Sequence, residues 1–182
     1  ADKQQLLALA VPDLIGAFAN PPCVDAATGL PTSTPDGPLD PCPAGTRRKI
    51  PPISDIHVGV ISSSLGGHGS DACDPSGAGK GSNDDKGRLL DREDPTTAAK
   101  VPTYQSLGFL AWDPKQQLAP PGEADLLADS AADANPTALV PGIRDLVLGA
   151  GQIGCGYEAQ LESWYRFLVD PSPPASVTLD QD

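Results

Sequence analysis

An α/β layer with long loops and few strands is the fold class the sequence predicts, and three observations carry it. Apolar residues recur at helical spacing near both ends of the chain, a strand pattern apolar on both faces lies between them, and 21 prolines with 19 glycines punctuate the rest. A strand apolar on both faces belongs in a sheet covered on both sides, as in α/β folds. The Pro/Gly excess means long ordered loops between elements. A chain of 182 residues, 39% apolar, is the size of one domain with a core of its own.

Taken in order, Leu6, Leu7, Ala10, Leu14 and Phe18 mark an amphipathic helix from Asp2 to Ala19. Pro12 is expected to kink it, and Asn20-Pro21-Pro22 to end it. From Pro21 to Pro52 the sequence is turn chemistry without an apolar period, a loop insertion over about 20–52. Ile53 to Leu65, ISDIHVGVISSSL, is the best strand, and Gly66-Gly67 ends it. A second loop insertion fills about 66–102. Tyr104 to Trp112 is the second strand, stopped by Asp113-Pro114. Glu123 to Ala128 reads as a helical turn and Leu139 to Leu148 as a short irregular helix. Tyr157, Leu161, Trp164, Tyr165 and Leu168 mark the last amphipathic helix, closed by Asp170-Pro171.

A net charge of −12 excludes a nucleic-acid or anionic-membrane partner, because such binding needs clustered Lys and Arg. No apolar run approaches a membrane span, and no signal segment is present. The chain has no methionine and starts inside a helical pattern, so it reads as a piece of a longer polypeptide. Four cysteines in an acidic, loop-rich chain favour disulfides and an oxidising compartment: secreted, periplasmic or cell-surface. A Cys23–Cys42 bridge closes a loop of about twenty residues, worth about 3 kcal/mol in the chain-entropy model. Cys155, ahead of the last helix, is either a reactive thiol or the partner of Cys73, and the even count favours the bridge.

The stretch SGAGKGSNDDKG fits neither motif it suggests. A phosphate loop needs G-x-x-x-x-G-K-[ST], but Gly79-Lys80 is followed by Gly81 and Asp74 stands where the first glycine belongs. An EF-hand set on Gly87 places Lys86 at a ligand position. A looser calcium site drawing on Asp71, Asp74, Asp84, Asp85 and Asp91 is the remaining metal candidate, weighed against a solvated acidic loop. His57 and His68 are the candidate bases, with no G-x-S-x-G elbow to supply a nucleophile.

DIHVGVISSSLGG and GQIGCGYEAQLESWYRFL together resemble the von Willebrand factor type A domain, in the loop-extended form of large secreted bacterial proteins. The opening Ala1-Asp2-Lys3-Gln4-Gln5-Leu6-Leu7 is similar to that family's first helix, which follows its metal-binding D-x-S-x-S loop. The resemblance covers about 60 residues in three pieces. It implies a single, incomplete domain over 1–182 with a Rossmann-like layer, and a Ca or Mg ion held mostly outside this chain. Where the family places a ligating threonine, this sequence has Gly154-Cys155, so no metal ligand is carried over. It also implies a missing strand neighbour, hence an open edge and a tendency of this piece to associate.

The expected function is a non-enzymatic binding or adhesion module that engages a protein or cell-surface ligand. Two other classes stand beside it. One is a secreted hydrolase, or hydrolase-associated domain, using His57 or His68. The other is a calcium-stabilised structural surface domain.

Overall fold

The helix at the start of the chain, α1 (Asp2–Ala19), buries Ala8, Val11, Ile15 and Ala19. Their spacing is helical, but this is not the stripe expected from the sequence. Leu6, Leu7, Leu14 and Phe18 are exposed instead. The helix is apolar on more than one side, so the choice of buried face falls to packing: small Ala8 and Ala19 let it lie close against α2 (Leu139–Ala150). The helix continues through Pro12 and ends as predicted at Asn20.

The structure, a computed structural model, describes residues 2–67, 73, 74, 76, 80–97, 99–127, 138–151 and 159–169. Helices and small antiparallel sheets are mixed in it, consistent with the α/β class in its general sense. The loop at 20–52 is more ordered than its composition suggests. It holds strands β1 (Cys23–Asp25), β2 (Pro31–Ser33) and β3 (Thr46–Arg48), an antiparallel sheet in the order β2-β1-β3. Three-residue strands are too short to leave a period in the sequence. What fixes them is a cross-link and a cation: Cys23 is bonded to Cys42, and the Arg48 guanidinium, opposite Cys23 in the register, gathers surrounding oxygens. It donates to Asn20 Oδ1 at 2.6 Å and to the carbonyls of Pro21 at 2.7, Gly37 at 2.9, Pro38 at 3.3 and Asp40 at 2.7 Å.

The two strands expected at 53–65 and 104–112 are shorter than their patterns. They form β4 (Ile56–Gly59) and β5 (Phe109–Trp112), paired antiparallel with Ile56 opposite Trp112 and Gly59 opposite Phe109. Ile56 and Val58 pack toward the core beside Leu110, Trp112, Leu139 and Leu146. His57 and Gly59 are exposed, so β4 is covered on one face and not on two. Among the described residues the strands make two separate antiparallel sheets and no single doubly covered layer.

Over its described residues, 123–127, the expected helical turn is also replaced. Glu123 lies against the outer edge of β5: its amide donates to the Ala111 carbonyl at 2.7 Å, and its buried carboxylate accepts the Ala111 amide at 2.5 Å. A strand-edge contact satisfies backbone groups that a helical turn would have left bare. The α2 helix, expected to be irregular, is regular from Leu139 to Ala150, its first amides donating to the carbonyls of Asp125 and Leu126. Helix α3 (Gln160–Leu168) forms the described part of the last predicted helix, and Tyr157 lies outside the described residues.

Asp113 organises the turn that brings Glu123 to β5. Its carboxylate accepts the amides of Gln117 at 2.8, Leu118 at 2.9 and Gly122 at 3.3 Å. Burial pushes its pKa up, but the amides of Gln117, Leu118, Gly122 and Gln116 outweigh burial and hold it below the usual carboxylate value. With the folded pKa below the unfolded one, the unfolded chain binds the extra proton in acid. The stabilisation is therefore full above the ordinary pKa of about 3.9 and lost as pH falls through the folded value. Asp113→Asn is expected to cost about 2 kcal/mol near neutrality, and less at about pH 2. Urea unfolding at both pH values measures this, and an equal loss at both would remove the carboxylate's charge from the account.

Candidate functional site

Beside β4 the surface opens into a groove of about 590 Å³. Its walls come from three helices and the strand: Leu7 of α1, Val147 of α2, Trp164 and Phe167 of α3, and Val60 and Leu89 from the segments that follow and cross β4. The Leu89 side chain can reach this position because residue 59 is glycine, where a Cβ would come within 2.5 Å of Leu89 Cδ2. His57 lines the same groove, its ring 5.0 Å from that of Phe109, which in turn lies 5.7 Å from Tyr104.

Helix α3 adds the largest uncovered apolar side chains in this region. Leu161 is 87% and Trp164 58% exposed, while Ser163 is buried where the helix meets Gly87. The amide of Ala159, just before α3, donates to the Ser63 carbonyl at 3.0 Å and anchors the helix start to the chain after β4.

A second cavity, of about 610 Å³, adjoins the first through Leu89 and Phe167. Lys86, Arg88 and Arg166 line it against a single lining carboxylate, Asp84. Arg166 is held by Glu162 one turn earlier at 3.0 Å. The Lys86 and Arg88 side chains make no hydrogen bond or ion pair among the described residues. Together the two cavities make an apolar trough with a cationic mouth.

The candidates from the sequence are placed differently. His57 Nε2 lies 3.7 Å from Asp55 Oδ1, and among the described residues no hydroxyl or thiol hydrogen-bonds it. Asp85, with its side chain 5% exposed, accepts both Arg92 guanidinium nitrogens at 2.5 and 2.9 Å and the Ser62 hydroxyl. Arg92 Nε also donates to the Gly149 carbonyl at 2.7 Å, tying the second loop to α2. Asp91 pairs with Lys100 at 2.5 Å. Asp74 accepts the amide and hydroxyl of Ser76, and the hydroxyl first, then the amide, lower its pKa. Asp84 Oδ1 accepts the Lys86 amide at 3.2 Å.

Among the described residues no group of three His, Cys, Asp or Glu side chains is placed to hold a metal ion. Among the described residues there is therefore no donor set for a Ca or Mg ion, and no chemistry is routed through one. His68, Asp71 and Cys155 lie outside the described residues. Cys73 is disulfide-bonded, and its expected pairing with Cys155 falls outside them too.

Of the groove residues, His57 was singled out by sequence as a candidate base, and the apolar walls were not. Leu7, Trp164 and Phe167 carry helical periodicity, which reads as core until the packing is known. The available signal was an excess: α1 has more large apolar residues than one buried stripe can use. No family model, curated protein or solved structure matches the chain.

No described helix is long and apolar enough to cross a membrane, and the Cys23–Cys42 bridge fits a protein of an oxidising compartment.

Proposed function

We propose that the chain is a non-enzymatic, extracellular binding module and part of a von Willebrand A-like domain. The observation that carries the reading is the open groove between α1, β4 and α3, walled by Leu7, Val147, Trp164 and Phe167, because concave and mostly apolar clefts are where ligands bind. The family assignment rests on the resemblance of DIHVGVISSSLGG and GQIGCGYEAQLESWYRFL to that domain. Secretion draws its support from the disulfide.

Labelled protein is expected to bind cell surfaces saturably, with unlabelled protein competing and Trp164→Ala, on the groove wall, weakening the binding. A panel of ester, peptide and glycoside substrates provides the opposite arm. Turnover abolished by His57→Ala would replace the binding reading with the hydrolase one.

A further inference from the structure

The cavity of about 610 Å³ beside α3 inverts the charge of the molecule around it. The chain carries 24 acidic and 12 basic side chains, yet here Lys86, Arg88 and Arg166 face the single carboxylate of Asp84. In a protein this acidic, an anion is turned away from most of the surface and drawn to such a place. Strand β4 pairs with β5 alone among the described residues, and no residue of β4 lines this cavity. A strand added at the open edge of β4 therefore does not consume it.

Backbone geometry gathers the cations. Lys86 and Gly87, at φ 59° and 69°, form a turn closed by the Arg88 amide, which donates to the Asp85 carbonyl at 3.0 Å. Asp85, paired with Arg92, fixes the base of that turn. Gly87 lets α3 lie on it, because a Cβ there would come within 2.9 Å of Arg166 Cβ and 3.2 Å of the Ser163 carbonyl oxygen. A second turn places Gln105 and Ser106, at φ 50° and 59°, directly before the lining residue Leu107. Lys86, Gln105 and Ser106 are three non-glycine residues in the left-handed region, and strain of this kind clusters at ligand sites. The cations are also uncommitted. The Lys86 and Arg88 side chains make no hydrogen bond or ion pair among the described residues, and Arg166 meets Glu162 through Nε, at 3.0 Å.

The lining selects the kind of anion. Guanidinium forks match the paired oxygens of a carboxylate or sulfate. The Asp84 carboxylate accepts hydrogen bonds and so suits a ligand with hydroxyl groups. Leu89, Leu107 and Phe167 supply one apolar side, with Leu107 57% and Phe167 42% exposed. That side is too open to cover an acyl chain, but it fits the C–H face of a ring. We propose that this cavity binds an acidic sugar, a carboxylate- or sulfate-bearing unit of a glycan. Its oxyanion meets Lys86, Arg88 and Arg166, and its ring lies on Leu107 and Phe167.

The probes are a galacturonate tetrasaccharide, a sulfated galactose tetrasaccharide, and the neutral tetrasaccharide made by reducing the carboxyls of the first. Calorimetric titration at physiological ionic strength, where exposed charges are screened, measures each. An acidic probe is expected to bind about tenfold or more tightly than the neutral one, and which acidic probe binds tells carboxylate from sulfate. Arg88→Gln and Phe167→Ala are each expected to weaken that binding about tenfold. Lys86→Gly removes the cation and the backbone strain together, so binding should fall while Tm holds or rises, a combination that damage to the fold does not produce.

Equal affinity for acidic and neutral probes, or full affinity in Arg88→Gln and Lys86→Gly, overturns the proposal. So does an equal loss in Arg47→Gln, an exposed cation outside the cavity, which would reduce the effect to general charge attraction. Cell-surface binding with no saccharide binding overturns this site and leaves the module reading standing.

Discussion

Arg48→Ala is expected to lower stability by about 3 kcal/mol and to free the 20–52 loop from the body of the protein. The β1–β3 sheet has strands of three residues each, with Cys23 and Val24 of β1 buried and β2 fully exposed, so hydrophobic burial holds one strand of the three. Its order rests on the Cys23–Cys42 bridge and on one guanidinium serving five oxygens from the start and the middle of the loop. Hydrogen bonds from a charged donor are each worth about 1.5–3 kcal/mol, and partial exposure lets water recover much of the sum. Lysine keeps the charge but not the planar fork, so Arg48→Lys should fall nearer alanine than wild type. Limited proteolysis reads the loop and urea unfolding reads the whole. A variant as protease-resistant as wild type would mean that the disulfide alone suffices.

Gly149→Ala sets two effects of opposite sign against each other. In an ordinary helix interior the change stabilises by about 0.5–1 kcal/mol, because alanine costs less backbone entropy. In α2 the new Cβ would overlap the Arg92 carbonyl oxygen, a backbone atom that cannot rotate away. To make room, the chain at Arg92 must move off the helix, loosening the Nε bond to Gly149 and the pair with buried Asp85. Overpacking of this kind costs about 1–3 kcal/mol, and loss of one partner of a buried ion pair adds to it. A net destabilisation of about 3 kcal/mol is therefore expected. Thermal unfolding decides it, and an unchanged or higher Tm would show that Arg92 does not sit over the helix.

Helix limits were legible where chain chemistry is decisive. Asn20-Pro21-Pro22 ends α1 at the predicted residue because the position before proline is driven out of the helical region. The face that α1 buries was not legible. Both its stripes are apolar, and only the presence of α2 beside the smaller one selects Ala8, Val11, Ile15 and Ala19. The same holds at β4, where the alternation of Ile56 and Val58 with His57 and Gly59 was visible but coverage of one face alone was not. Asp85 shows the limit for sites. Counting carboxylates suggested a cation, whereas Arg92, seven residues on in the same loop, already neutralises Asp85. The trough escaped notice because it is built from segments far apart in sequence.

The difference between the two edges of the β4–β5 sheet also sets a valence. With Glu123 sealing one side, the described residues leave one open edge at this sheet. Two such molecules that paired edge to edge would consume both open edges and stop at a closed pair. Through this sheet, crowding at high concentration can yield a finite dimer but not a growing filament, because a filament needs two open ends on every subunit.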